Sequence, residues 1–257
     1  MEILKTITII NQKGGVGKST TALSVGVGLS RKGFRVLFVD LDAQGNLSYV
    51  MGADRRIEVS DVSSMDVISR RISVKQAIRC TEQGEVIRSS SALAWADIAI
   101  VDVGKEYRLK ESMEPLVASY DFVIIDTPPA LGILTVNALT ASTGCIIPSQ
   151  ADVFSLQGIQ QLNETIETVR RYCNPALKIM GIVLTRFNSR VVIGREISDK
   201  LEEIASQMGT KLYTSTIREC TAIKESQVVR QDIWTYAPRS NAATDYSALV
   251  SEILEEE

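Results

Sequence analysis

The sequence predicts an α/β fold in which a mostly parallel, twisted sheet carries helices on both faces. Short apolar runs rich in β-branched residues alternate with longer segments of helical period, which is the pattern of βαβ units. The runs are almost continuously apolar, as strands are when both faces of a sheet are covered. The 257 residues contain no repeat and no Pro- or Gly-rich linker, so we expect one domain over 1–257.

Five strands and three long helices are predicted in chain order. The strands are Thr6–Asn11, Arg35–Asp40, Asp121–Asp126, Gly144–Ile147 and Lys178–Leu184. Apolar residues spaced three and four apart predict the helices Ser155–Arg171, Val191–Met208 and Ala242–Leu254. The segment Asp97–Val103, DIAIVDV, has the composition of a buried strand, although its neighbours suit a helix.

The composition excludes several kinds of chemistry. The chain has no histidine, so neither a Ser-His-Asp triad nor a His-ligated zinc site can be built from it. Its four cysteines are scattered without a CxxC pair, which is typical of the reducing cytoplasm. We expect neither a signal peptide nor a transmembrane helix, because MEILKTITII carries one lysine before a short apolar run and no apolar stretch reaches about 18 residues. We therefore expect a cytoplasmic protein that uses carboxylates, lysines, hydroxyls, backbone amides or a metal.

A glycine-rich loop follows the first predicted strand and precedes a helix of small residues. It reads Gln12-Lys13-Gly14-Gly15-Val16-Gly17-Lys18-Ser19-Thr20. Such a loop turns successive N–H groups toward phosphate oxygens, and the following helix N-terminus adds partial positive charge. We expect Lys18 to bridge the β- and γ-phosphates of ATP, Ser19 to ligate Mg²⁺, and Thr20 to contact the α-phosphate. The alternative, a surface turn, does not account for this order of strand, loop, lysine, hydroxyl and helix.

The entrance of the loop departs from the usual pattern GxxxxGK[ST]. Gln12 stands where that pattern has its first glycine, and Lys13 adds a second lysine. Two lysines are hard to place on the same phosphates. We therefore expect Lys13 to reach the nucleotide of a second subunit, as an arginine finger does in other enzymes.

Aspartates follow the second and third predicted strands. Because ligands bind beyond the carboxyl ends of parallel strands, we expect Asp40, Asp42 and Asp126 at the edge that carries the loop. Asp126 fits a carboxylate that holds Mg²⁺ through water. Of Asp40 and Asp42, one is expected to support the metal and the other to orient the attacking water. The alternative for Asp40 is that it only caps the following segment.

Three segments, KGGVGKST, DLDAQGN and DTPPALGILTVNAL, resemble the ParA-type partition ATPases of the Soj-like branch of the MinD/ParA superfamily. The similarity continues through EYRLKESMEPL, IIPSQADVFSLQGIQQL and GIVLTRFNSR, so it covers nearly the whole chain. It implies a P-loop fold with a deviant Walker A motif and a helical conformation over Asp97–Val103. Larger plasmid members carry an N-terminal DNA-binding extension, which we do not expect here.

The resemblance also implies a function and roles for single residues. Family members are Mg²⁺-dependent ATPases that dimerise around two ATP molecules, bind double-stranded DNA without sequence preference and hydrolyse ATP when a ParB-type partner triggers them. By this resemblance Lys13 is the lysine that crosses to the other subunit, Asp42 positions the water, and Ser19 and Asp126 hold the metal. We expect Asp40 to support the metal as well. Because family members bind DNA, we also expect a nucleoid-associated protein.

Candidate DNA contacts are less well defined by the sequence. Arg190 in FNSR matches a basic position linked to DNA binding in the family, and Lys224 and Arg230 are further candidates. Ala222 stands near a position where related proteins have an arginine. The net charge of −3, from 28 Lys and Arg against 31 Asp and Glu, requires any DNA-binding surface to be local.

Three alternative functions share the predicted fold. A MinD-like membrane-positioning ATPase needs a basic amphipathic C-terminal helix, whereas SALVSEILEEE is acidic. A metallocluster enzyme needs suitably placed cysteines, and an amide-forming synthetase gives no reason for Lys13. We therefore expect no membrane partner.

Overall fold

The computed structural model describes residues 4–53, 62–188 and 192–255, with only the backbone described for 192–195. One eight-stranded sheet lies at the centre of these residues. The strands are Lys5–Ile9 (β1), Val36–Asp40 (β2), Ile78–Thr81 (β3), Gly84–Ile87 (β4), Phe122–Asp126 (β5), Gly144–Ser149 (β6), Lys178–Phe187 (β7) and Ile217–Arg218 (β8). Their order across the sheet is β3-β4-β2-β5-β1-β6-β7-β8. All neighbours are parallel except β3 and β4.

Twelve α-helices are found in the same described residues. Those before β5 are Lys18–Arg31 (α1), Asn46–Val50 (α2), Ser64–Ile68 (α3), Val74–Ala77 (α4), Ala96–Ala99 (α5) and Arg108–Met113 (α6). Those after β5 are Ile133–Ala141 (α7), Val153–Tyr172 (α8), Val192–Gln207 (α9), Thr221–Val228 (α10), Ile233–Tyr236 (α11) and Asn241–Leu254 (α12). Single 3₁₀ turns cover Ser91–Trp95, Lys105–Tyr107 and Glu114–Leu116.

The side chains of each central strand alternate between two cores, because successive residues of a strand face opposite sides of the sheet. In β5, Ile124 packs on the side covered by α1 and α12, whereas Val123 and Ile125 pack on the side of α3, α6 and α7. In β6, Ile147 packs against α8 and α9. Both faces are therefore buried, which confirms the predicted α/β fold with helices on both faces.

All five predicted strands and all three predicted helices are present, and their ends lie within three residues of the expected ones; Val191, the expected start of one helix, lies outside the described residues. The hairpin β3–β4 and the two-residue strand β8 were not predicted. Each hairpin strand has only four residues, and β3 is an edge strand of mixed polarity. Such strands carry too little periodicity for prediction.

The expectation of a helix over Asp97–Val103 is right only in part. Helix α5 ends at Ala99, and the backbone of Ile100 is extended with φ −112° and ψ 90°. Asp97 holds helix α5 in place, because its Oδ1 accepts a hydrogen bond from the backbone N–H of Ile133 at the start of α7. The segment thus connects to α7 rather than adding a strand.

Candidate functional site

The glycine-rich loop lies between the end of β1 and the start of α1, as predicted. Helix α1 begins at Lys18, directly after Gly17. Gly15 and Gly17 have φ of 77° and 87°, a left-handed conformation that glycine adopts without steric cost. The backbone of the loop therefore curls at the N-terminus of a 14-residue helix, where anions bind favourably.

Side chains from neighbouring strands hold the loop in place. Asn11 donates from Nδ2 to the carbonyl of Pro148 at 2.8 Å and accepts the N–H of Lys13 at 2.9 Å. The hydroxyl of Thr185 donates to the carbonyl of Val16 at 2.8 Å. These bonds connect the loop to β6 and β7, so its shape does not depend on the glycines alone. Neither Asn11 nor Thr185 was predicted to hold the loop, because nothing in the local sequence pattern distinguishes them.

Lys18 is buried beneath the loop. Its Nζ donates to the carbonyl of Lys13 at 3.1 Å. Burial lowers the pKa of Lys18, and the negative charges of Asp126 and Asp42 act in the opposite direction. The lysine thus lies near two of the predicted carboxylates, as a phosphate-binding lysine next to a metal site should.

Asp126 is the last residue of β5 and is fully buried. Within the described part of the chain, neither carboxylate oxygen has a hydrogen-bond partner of ordinary geometry. Burial raises the pKa of Asp126 well above its usual value, and the charge of Asp40 adds to this, whereas Ser19 and Lys18 favour the charged form. A buried carboxylate without a partner, next to a serine hydroxyl, is suited to binding a cation or its water ligands.

Asp126 and its neighbours would need ligands from outside the protein to complete a metal site. Among the residues that the structure describes, no three His, Cys, Asp or Glu side chains cluster as a metal site. Mg²⁺ in phosphate-loop sites is bound by one or two protein oxygens together with phosphate oxygens and water. The residues present therefore fit Mg²⁺ that arrives with a nucleotide.

Asp40 is also fully buried, but its oxygens are occupied. Oδ2 accepts hydrogen bonds from the N–H and the hydroxyl of Ser48, at 2.8 and 2.7 Å, and Oδ1 accepts the N–H of Asp42 at 3.1 Å. Burial raises the pKa of Asp40 to about 6, against the effect of the Ser48 hydrogen bonds. This arrangement matches the capping alternative for Asp40, which binds the first turns after β2 to the sheet.

Asp42 lies beyond the end of β2, where its carboxylate lines a cavity of about 570 Å³. Its Oδ1 accepts the N–H of Gln44 at 3.0 Å, which orients the side chain. The cavity brings together most of the predicted site. The predicted residues that line it are Gly14, Gly15, Gly17, Lys18, Ser19, Thr20, Asp42 and Lys224.

Lys13 does not line this cavity. Its Nζ forms an ion pair with Asp152 Oδ2 at 2.5 Å, and Asp152 is the N-cap residue of α8. Gln12 is held by the same helix, since its Nε2 donates to the carbonyl of Gly158 at 3.0 Å. The two unusual residues at the loop entrance thus both contact α8, and neither Asp152 nor this contact was predicted from the sequence.

The three candidate DNA contacts have different positions. Arg190 lies outside the described residues. Lys224 is exposed on α10 and borders the nucleotide-sized cavity. The guanidinium of Arg230 lies 4.1 Å from the ring centroid of Tyr49, and its backbone has a positive φ of 59°. Lys224 therefore lines this cavity, whereas Arg230 lines a second cavity of about 710 Å³ and contacts Tyr49, which lines the first.

Comparison with known proteins agrees with this geometry. A family model described as an AAA domain (AAA_31) matches residues 4–179. The chain is 38% identical over 254 residues to the sporulation initiation inhibitor protein Soj of Bacillus subtilis, with 97% of this chain and 98% of Soj covered. It is 33% identical to the chromosome partitioning protein ParA of Caulobacter vibrioides, with 99% and 95% covered.

Solved structures show the same fold. A cobyrinic acid a,c-diamide synthase from Mycobacterium smegmatis, with bound ATP analog and magnesium, is 30% identical with a TM-score of 0.84, covering 99% of this chain and 96% of that one. McdA from Cyanothece has a TM-score of 0.87 at 23% identity, covering 98% and 99%, and shows the fold alone. The chain belongs to the AAA domain family and, within it, to the ParA and Soj proteins of the ParA/MinD superfamily.

Proposed function

We propose that the chain is a Mg²⁺-dependent ATPase that pairs around bound ATP, binds DNA without sequence preference and segregates a plasmid, chromosome or mobile element with a ParB-type partner. The observation that carries the proposal is the buried carboxylate of Asp126, which has no hydrogen-bond partner of ordinary geometry in the described part of the chain and lies below a loop with Lys18 and Ser19. The biological role is supported by relatives that are named chromosome partitioning proteins and that this chain matches over most of their length.

The chemistry is positioning and neutralisation of charge. Lys18 and the loop N–H groups would bind the phosphates, while Ser19 and Asp126 would hold Mg²⁺. Bound Mg²⁺ would supply positive charge to the phosphate oxygens as negative charge develops there. Asp42, held by the N–H of Gln44, would orient the attacking water. Asp40 would act mainly by holding the backbone that carries Asp42.

DNA binding would depend on a local basic surface, because the whole chain has a net charge of −3. Lys224 lines the proposed nucleotide cavity, and Arg230 contacts Tyr49, which lines the same cavity, so pairing of two chains would double their number on one particle. Contacts to DNA phosphates release counterions, which makes the affinity fall steeply with salt. We therefore propose binding that requires ATP, is salt-sensitive and brings the protein to the nucleoid in the cytoplasm.

A MinD-like association with membranes is the alternative. None of the described helices is both long and apolar enough to cross a membrane. The C-terminal helix α12 buries Tyr246, Leu249, Val250 and Ile253 in the core beside α1, so its apolar face is not available to lipid. Liposome flotation with ATP separates the two proposals, and we expect no flotation.

The relative named as a cobyrinic acid a,c-diamide synthase raises the possibility of an amide-forming enzyme on the same fold. Such an enzyme would need an acid substrate and an amine donor to consume ATP. A partition ATPase releases ADP and phosphate without them. Hydrolysis of ATP by the protein with DNA alone, and no increase on adding an acid and ammonia, would favour partition.

The decisive experiment measures retention of the protein on a random-sequence duplex at low salt, with ATP, with ADP and without nucleotide. We expect retention with Mg²⁺-ATP alone and its loss at high salt. Equal retention in all three conditions, or none with ATP bound, would contradict the proposal. A parallel measurement of ATP affinity distinguishes loss of DNA binding from loss of nucleotide.

A further inference from the structure

Within one chain, Lys13 is held by the first turn of helix α8. Its Nζ lies 2.5 Å from Asp152 Oδ2 and 3.4 Å from the hydroxyl of Ser155. The side chains of Lys13 and Asp152 are 30% and 33% exposed, so the pair is accessible at the surface. The lysine that we propose to act on another chain's nucleotide is thus bound to a carboxylate of its own chain.

The two oxygens of Asp152 have separate tasks. Oδ1 accepts the N–H of Ser155 at 3.0 Å and caps α8, whereas Oδ2 binds Lys13. Burial tends to raise the pKa of Asp152, but Lys13 and Ser155 outweigh it and the pKa is lowered. The carboxylate is therefore charged at neutral pH. Since asparagine caps helices as well as aspartate does, an Asp152→Asn change removes the ion pair and keeps the cap.

The backbone of Lys13 is fixed independently of its side chain. Its N–H donates to Asn11 Oδ1 at 2.9 Å, and its carbonyl accepts from Lys18 Nζ at 3.1 Å. Gln12 remains bound to Gly158 in the second turn of α8. Rotation of one side chain therefore suffices to move the ammonium group of Lys13 away from Asp152, without rearrangement of the loop.

We propose that Asp152 is a positioning residue for Lys13, which it holds within its own chain and releases to the phosphates of the nucleotide bound by a second copy. The proposal rests on the proposed function. An ion pair this exposed is weak, so the more highly charged phosphates compete for the lysine easily. Val153 and Phe154 follow Asp152 and are 63% and 78% exposed, which leaves an apolar surface for the second copy beside the ion pair.

The test uses two matched variants. Asp152→Asn keeps the cap without the charge, and Asp152→Glu keeps the charge. At saturating Mg²⁺-ATP, we expect Asp152→Asn to dimerise at about two- to fivefold lower protein concentration than wild type in sedimentation velocity, because Lys13 no longer has a competing partner. Asp152→Glu should restore wild-type behaviour. A purely structural cap would leave all three proteins alike.

A second measurement detects the ion pair itself. Reductive methylation with ¹³C-formaldehyde gives each lysine an NMR signal, and that of Lys13 is assigned by its loss in Lys13→Arg. We expect Asp152→Asn to shift this signal in the protein without nucleotide, and Asp152→Glu to shift it much less. An unchanged signal, or dimerisation of Asp152→Asn that is equal to or weaker than that of wild type, would overturn the proposal. Wild-type protein that binds ATP and stays a monomer would instead contradict the proposed function.

Discussion

Asp40 and Asp126 are paired in register at the ends of the adjacent parallel strands β2 and β5. Both carboxylates are fully buried, but among the described residues only the carboxylate of Asp40 finds hydrogen-bond donors of ordinary geometry. Each charge raises the cost of ionising its neighbour. Of these two similar residues, Asp40 thus holds the backbone, and Asp126 is suited to binding a cation.

This difference leads to a prediction for Asp126→Asn. The folded pKa of Asp126 lies above that of an unfolded aspartate, about 3.9, so the folded protein binds the proton more tightly. The ionised carboxylate therefore destabilises the fold at high pH, and the cost disappears as the pH falls through the folded pKa. Without nucleotide, Asp126→Asn should raise the Tm by a few degrees at pH 8 and by less at pH 5.

Differential scanning calorimetry with and without Mg²⁺-ATP checks this prediction. The nucleotide should stabilise the wild-type protein more than Asp126→Asn, because the variant lacks the charge that holds the metal. An equal gain in Tm for both proteins would show that Asp126 does not take part in metal binding.

Removal of the Lys18 ammonium group should prevent nucleotide binding. Lys18→Ala takes away a buried positive charge below the loop, and charged hydrogen bonds contribute about 1.5–3 kcal/mol each. We expect a loss of affinity for ATP of about a hundredfold or more by calorimetric titration. Lys32→Ala, at the exposed C-terminal end of α1, is the control and should bind normally.

Asp42→Ala should separate binding from turnover. The side chain lines the cavity but is not part of the loop, so ATP affinity should stay within about twofold while hydrolysis falls by about a hundredfold or more, in the range of a lost general base. Phosphate release measured with saturating ATP tests this. Normal turnover in Asp42→Ala would mean that another group orients the water.

Lys224→Ala and Arg230→Ala should each weaken binding to random DNA. If each side chain contacts one phosphate, each change lowers the slope of log K against log salt by about 1. Arg71→Ala, an exposed arginine in a different cavity, serves as the control. Since Lys224 borders the nucleotide cavity, ATP affinity must be measured for the same proteins, and slopes identical to wild type would remove these residues from the DNA surface.

The sequence predicted the strands that carry the site because Ile7, Ile124 and Ile146 belong to continuous apolar runs buried on both faces. The loop was predictable because glycine, lysine and serine at this fixed spacing are typical of a phosphate-binding loop and of few other structures. The sequence did not reveal Asp152 or Thr185, which are 139 and 169 residues from their partners Lys13 and Val16. Such long-range contacts leave no local pattern in a single sequence.

We propose that Lys13 of one chain completes the ATP site of another. Sedimentation velocity of wild type and Lys13→Ala, each with saturating Mg²⁺-ATP and with ADP, tests this role of Lys13. We expect the mass of the wild-type particle to double with ATP only, and Lys13→Ala to bind ATP yet remain a monomer. A Lys13→Ala protein that dimerises with ATP as wild type does would show that Lys13 is not needed at the site of the second chain.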